Sequence, residues 1–265
     1  MSITFPTTDL KVPSGITALP SGMKRPAFGT LYGFDAQGGG GGGAPFSNES
    51  SVELDGVDDS CHVPANASLN TAGDVSFSGW VYSDSISSGY RPIAAKRDAG
   101  GHDWQWAISS GKFNLSLGGI TVVGNTTFSN STWYHVAFTV AAGVTDGVKL
   151  YVNGSQESNT GTSATGDSNS AAVGLNLGWN NVASRYWNCK IDEMAFFHSA
   201  LSASDISDIY NSGEPASLSS YSPVGWWRMG DGTEAESGTT IYDMSSNSNN
   251  ATLTNGPTYS TDVPS

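Results

Sequence analysis

Charge is scarce in this chain, and basic charge scarcest. Only 13% of its 265 residues are charged, about half of the ~25% usual in globular proteins. Eleven Lys and Arg face 24 Asp and Glu, a net charge of −13. That balance disfavours nucleic acid and anionic membranes as partners and leaves room for bound cations. Long apolar runs are also missing; none approaches the ~18 residues of a membrane span. Residues 1–20 lack the basic start and apolar core of an export signal. The four histidines, His62, His102, His135 and His198, stand singly, without a His-x-x-x-His spacing that would suit zinc. No Gly-x-Ser-x-Gly pattern occurs. The glycine run Gly38 to Gly43 has neither the lysine nor the following helix of a phosphate-binding loop.

What the chain has instead is glycine, 33 residues of it, with abundant Ser, Thr and Asn. That mixture suits many short strands joined by turns. Residues 75–82 alternate, with Val75, Phe77 and Val81 on one face. Further strands are expected at 92–96, 103–108, 112–117, 120–123, 133–140, 148–152 and 174–178. Asn153-Gly154 is a strong hairpin signal. Residues 1–47 differ. Pro6, Pro13, Pro20, Pro26 and Pro45 recur, and about ten large apolar residues lack any sustained period. This reads as an extended arm that packs on something, followed by a flexible hinge at the glycine run.

One stretch gives the strongest local signal. Residues 190–197 read as a strand, with Ile191, Met194, Phe196 and Phe197 interrupted by Asp192-Glu193. Adjacent strand residues point to opposite faces, so those two acids are expected on opposite sides. A short helix follows. Ser202 is a good N-cap, Asp205 sits at the reciprocal position of a capping box, and Leu201 and Ile206 are placed for a staple. Asn211 and Gly213 end it.

Cys189-Lys-Ile-Asp-Glu-Met and Ala200-Leu-Ser-Ala-Ser-Asp-Ile-Ser-Asp-Ile-Tyr210 together resemble the closing motif of the LamG-like jelly roll, in the concanavalin A-like lectin/glucanase superfamily. Leu54-Asp-Gly-Val-Asp-Asp, Trp133-Tyr-His-Val-Ala and Leu150-Tyr-Val-Asn-Gly are similar to other signatures of that family. The resemblance covers residues 51–213 and implies an all-β jelly-roll sandwich with one short helix. Val224-Gly-Trp-Trp-Arg-Met-Gly-Asp231 and the segment from Ile241 to Leu253 match a pattern that precedes the sandwich in many relatives. Here it follows, which implies a circular permutation or a segment completing a neighbouring copy. The expected organisation is an arm over 1–47, the sandwich over 48–213, and completing strands over 214–265.

Glucanases of the superfamily make hydrolysis worth testing. Their acids sit at i, i+2 and i+4 on one strand, which period 2 gathers into one cleft. Here Glu53 and Asp55 share a face, but the third position is Val57, so no enzyme is expected. The resemblance also implies a structural Ca2+, with Asp55, Asp58, Asp59 and Asp192 as ligands; the alternative is that these acids only cap turns. Cys61 and Cys189 flank two motifs that pair in this fold, which places them on neighbouring strands within disulfide reach. Trp80, Trp133, Trp226 and Trp227 read as core. Trp104, Trp106, Trp179 and Trp187 are the candidates for stacking on sugars, flanked by loops 83–90 and 98–103.

Function is expected in one of two forms. One is a structural protein of a viral particle, a capsid decoration or fibre, homo-oligomeric (trimeric as first guess) and held to other virion proteins by the arm. The apolar arm, the glycine hinge, the missing export signal and the resemblance to modules of tailed marine phage particles favour it. The other is a carbohydrate-binding, receptor-recognition module that meets surface glycans. The location that goes with these is the virion or the extracellular space.

Overall fold

The computed structural model describes residues 46–70, 73–97, 104–117, 120–158, 173–181, 184–231 and 238–265. Two eight-stranded antiparallel sheets make up the fold. The first runs Ser155–Gln156, Val148–Val152, Tyr134–Val140, Val75–Tyr82, Asn188–Phe197, Ser51–Asp55 and Thr258–Ser260 in spatial order, with Gly225–Trp227 also pairing the Asn188–Phe197 strand. The second runs Thr240–Ile241, Ala251–Thr254, Ser60–Val63, Leu175–Leu177, Tyr90–Lys96, Trp104–Ser109, Lys112–Leu117 and Ile120–Thr127. A two-stranded ribbon, Trp179–Asn180 with Arg185–Tyr186, branches from it.

Alternation sets what each sheet buries. In Lys112–Leu117, Phe113, Leu115 and Leu117 are buried while Lys112, Asn114 and Ser116 are half-exposed. Between the sheets lies an aromatic centre: Phe77 meets Trp106 at 5.1 Å, Trp104 at 5.7 Å and Phe196 at 6.0 Å between ring centroids. Edge and offset contacts of this kind add to area burial. The first sheet is covered on its outer face as well. Helix Ala203–Tyr210 buries Ile206 and Ile209 in a second cluster with Ala137, Tyr151, Ala195, Phe197 and Trp226. Burial on both faces accounts for the unbroken burial from Ile191 to Phe197. Among the described residues no α-helix packs on the outer face of the second sheet; Lys112–Leu117 and Ile120–Thr127 keep the alternating pattern, while Tyr90–Lys96 and Leu175–Leu177 are buried almost throughout.

Residues 214–265 add strands to both sheets of their own chain. Gly225–Trp227 pairs with Met194–Phe196, Ala251–Thr254 with Ser60–His62, and Thr258–Ser260 with Ser51–Glu53. Of the arm expected over 1–47, residues 1–45, the glycine hinge among them, lie outside the described residues.

The Asp192-Glu193 pair departs from the simple reading. The register shifts between Asp192 and Ala195, where Glu193 and Met194 face only Gly79 of the neighbouring strand. Glu193 takes a left-handed backbone, φ 47°. This β-bulge breaks the alternation, so the two acids are not set apart on opposite faces: both are buried. Trp226 Nε1 donates to Glu193 Oε2 at 2.5 Å and Arg228 Nε to Oε1 at 2.8 Å. Asn48 Nδ2 donates to Asp192 Oδ2 at 2.9 Å. Asp231 accepts the amides of Glu49 and Ser50, and Ser47 O accepts from Arg228. Two sequence motifs therefore meet here to hold the lead-in segment 46–50, which precedes the strand Ser51–Asp55.

Candidate functional site

The Asp-rich turn folds as a compact acidic group. Asp55, Asp58 and Asp59 each place a carboxylate oxygen within 4.8 Å of the others. Asp55 Oδ1 accepts from Val57 N and Asp58 N, and Asp59 Oδ2 accepts from Asp55 N. Burial pushes the Asp59 carboxyl up, and its acidic neighbours add to that rise. The donor set is hard oxygen, which suits Ca2+. The turn carbonyls are already engaged, however: Asn188 Nδ2 donates to Asp55 O and Asn255 Nδ2 to Asp58 O. Asp192 does not join this group. Asp55 pairs with Asn188 in register, so Asp192 lies four residues along, about 13 Å away by strand rise.

Cys61 and Cys189 are not on neighbouring strands. Cys61 belongs to the second sheet and pairs with Leu177 and Leu253; Cys189 belongs to the first and pairs with Leu54. Both are free, buried thiols, and burial pushes Cys61 up to about 12. The motifs beside them do pair within the first sheet, Leu54 with Cys189 and Asp55 with Asn188, but the chain changes sheet between Asp55 and Ser60 and carries Cys61 into the second.

Three of the four tryptophans expected at a surface are core. Trp104, Trp106 and Trp187 are at most 1% exposed. The reason lies in the strand Trp104-Gln105-Trp106, where alternation sends both indoles inward and Gln105 outward. Trp179 alone of the four is half-exposed. It stacks on Tyr186, 5.8 Å between centroids and 4° between planes, and its Nε1 donates to Cys61 O. Of the other four, Trp80, Trp226 and Trp227 are buried, while Trp133 is half-exposed and donates to Asp262. His102 and the loop 98–103 lie outside the described residues.

The second sheet's outer face carries a polar row, exposed toward its two edges and buried at Asn176 and Ala95. Register lines up one row across its strands: Thr240, Thr252, His62, Asn176, Ala95, Gln105, Ser116 and Thr121. His62 Nδ1 donates to Asn176 Oδ1 at 2.7 Å, and the Ser116 and Thr121 hydroxyls are 3.2 Å apart. After Gly178, at φ 74°, the chain turns back toward this face. An added Cβ there would strike Leu54, so glycine is required for both reasons. Asn180 Nδ2 donates to Gln105 Oε1 at 3.1 Å, and Arg97 Nη1 donates to the same oxygen at 3.2 Å. Arg185, paired with Asn180, sets its guanidinium 4.5 Å over the Tyr90 ring. The Tyr90 hydroxyl is buried with no hydrogen-bond partner; burial raises its pKa against the lowering pull of Arg185 and Arg97. Tyr90, Arg97, Gln105, Asn180, Arg185 and Tyr186 escaped the sequence reading. Their signal was the alternation that had already turned Gln105 outward. A separate concavity of about 390 Å³ lies beside the helix start, lined by Asp146, Lys149, Tyr151, Gln156 and Leu201 among others.

Comparison with known proteins gives a family. Residues 55–207 match the family described as the Concanavalin A-like lectin/glucanases superfamily. A solved Bacteroides ovatus protein described as carbohydrate-binding superposes with a TM-score of 0.63 at 17% identity, over 83% of this chain and 62% of its own. This chain thus spans less than two thirds of that protein. The heptameric SAP-like pentraxin of Limulus polyphemus has a TM-score of 0.45 at 14% identity, over 62% of this chain and 82% of its own. Domain 4 of an extracellular arabinanase from Geobacillus stearothermophilus, solved with arabinotriose, has a TM-score of 0.45 at 22% identity, over 57% of this chain and 72% of its own. At these identities the likeness is one of fold. No curated protein matches the chain.

Proposed function

The chain belongs to the concanavalin A-like lectin/glucanases superfamily, and we propose that it is a non-enzymatic module binding carbohydrate on the outer face of its second sheet. The observation that carries this reading is the half-exposed Trp179–Tyr186 stack beside a register-aligned row of hydroxyl, amide and imidazole groups. Aromatic faces pack on the C–H faces of sugars, and planar amides and hydroxyls exchange directed hydrogen bonds with sugar hydroxyls. The described acids do not offer a hydrolytic pair. Glu193 is committed to Trp226 and Arg228, and Asp55 Oδ1 to turn amides. A glycan array probed with the full chain and with Trp179→Ala tests the reading. Binding that Trp179→Ala weakens at least tenfold is expected; an array blank for the full chain would contradict it.

The particle role is the finer part of the proposal. A decoration or fibre component of a virion, homo-oligomeric partly through residues 1–37, is supported by the apolar, Pro-rich composition of those residues and the glycine run after them. Mass analysis of purified particles tests it. Ca2+ at Asp55, Asp58 and Asp59 belongs to the same proposal, with water completing the 6–8 oxygens that the ion takes. A ligand that binds only the folded state raises the melting temperature, so chelation is expected to lower it; an unchanged melting temperature speaks against the ion.

A further inference from the structure

The face assigned above has an electrostatic character that the chain as a whole lacks. The protein carries a net charge of −13 and only five arginines in its sequence. Among the described residues Arg228 is paired with Glu193 and Asp231, and Lys190 with Asp262. Arg91 Nε is spent on Ser85 O. Arg97 and Arg185 differ: among the described residues neither guanidinium has a carboxylate partner. They converge from two elements, the end of Tyr90–Lys96 and the ribbon strand Arg185–Tyr186. Gln105 Oε1 ties Arg97 to Asn180, whose register partner is Arg185. Beneath the Arg185 guanidinium lies the Tyr90 ring, whose hydroxyl is buried and without a hydrogen-bond partner. A buried hydroxyl without a partner is costly, and so are two neighbouring guanidiniums without a carboxylate, which is how these two stand among the described residues. Both costs fall if an anionic acceptor enters: a carboxylate takes two N–H donors from a planar guanidinium and one O–H from a phenol.

Resting on the glycan-binding reading, we propose that this face selects a carboxylate-bearing sugar, a uronate or a sialate. The Arg185 and Arg97 guanidiniums and the Tyr90 hydroxyl take the acid, and the Trp179–Tyr186 stack stands beside the ring. The long-range field of a chain at −13 repels anions, so the preference must come from these local groups and weaken as salt screens them.

Titration calorimetry of the full chain separates the outcomes, using two matched pairs: sialyllactose with lactose, and oligogalacturonate with its methyl ester. In at least one pair the acidic member is expected to bind at least tenfold more tightly, which also identifies the source of the carboxylate. Arg185→Gln, at an exposed position, and Arg97→Gln are each expected to remove most of that ratio, the acidic member losing far more affinity than the neutral one, with the melting temperature measured alongside to show that the fold is kept. Equal or tighter binding of both neutral members overturns the acid preference and leaves glycan binding standing. No binding of any of the four, with a blank array, overturns both. A ratio that survives both substitutions also overturns the assignment, since another cation would then carry it.

Discussion

Glu193 is a charged residue inside a strand, held in a left-handed backbone and almost fully buried. Burial pushes its carboxyl up to about 7, against the pull of Arg228, and pushes Asp192, which has weaker partners, well above the usual range. Both acids thus hold protons more tightly folded than unfolded. Their contribution to stability is complete below the unfolded values and is lost as pH rises through the folded ones. For Glu193 the window is from the ordinary 4.5 to about 7. Stability is therefore expected to fall as pH rises across that window. Asp192→Asn keeps an oxygen for the Glu193 amide and gains an N–H that can reach Asn48 Oδ1, which is buried without a partner. That variant is expected to flatten the fall, as melting temperature against pH would show; an equally steep profile would contradict the assignment. Arg228→Met leaves Glu193 buried and unpaired and is expected to cost about 3–5 kcal/mol in denaturant unfolding at pH 8. None of this pairing was legible in the sequence. Strict alternation sent Asp192 and Glu193 to opposite faces, because a bulge appears only when the partner strand and its Gly79 are known.

At the scale of elements the sequence was most readable where local chemistry decides the structure. Ser202 and Asp205 form the complete capping box: Ser202 Oγ accepts from Asp205 N at 3.1 Å and Asp205 Oδ2 accepts from Ser202 N at 2.8 Å. Aspartate serves although the motif prefers Glu or Gln there. Ser202→Ala is expected to cost about 1 kcal/mol, and an unchanged denaturation midpoint would show that packing of Ile206 and Ile209 alone holds the helix. The Asp55–Asp59 turn was legible for the same reason. Gly56 has φ 75°, and a Cβ there would meet Asn188 N at 2.5 Å. Gly56→Ala combines strain with a backbone clash and is expected to destabilise by more than ~1 kcal/mol, again by denaturant midpoint. Pairings between distant elements were less legible. Cys189 lies within the paired motifs of the first sheet, whereas Cys61 lies past the corner after Asp55, and motif pairing does not say where the chain leaves the sheet.

Over the whole molecule, the segment after the helix is part of both sheets. Without residues 214–265 the first sheet loses Gly225–Trp227 and Thr258–Ser260, and the second loses Thr240–Ile241 and Ala251–Thr254. The buried Trp227 and Met229 go with them. A chain ending at residue 213 is expected to lose cooperative unfolding, whereas removal of residues 1–37 is expected to leave the melting transition and abolish assembly, read by light scattering. Core and surface were assigned well by alternation and poorly by residue type. Trp104 and Trp106 were chosen as sugar-stacking residues because tryptophan suits that role, yet their own strand turns them inward. The same rule turns Gln105, Ser116 and Thr121 to the second sheet's outer face, where all three keep some exposure.

That placement is tested most directly by the indole N–H signals of the eight tryptophans in an NMR titration with the glycan bound best on the array. The Trp179 signal is expected to shift with saturation, while those of the buried Trp104, Trp106 and Trp187 stay in place. A Trp179 signal that stays fixed while residues beside the helix, such as Lys149 and Tyr151, respond would put the binding site on the other sheet and contradict the account.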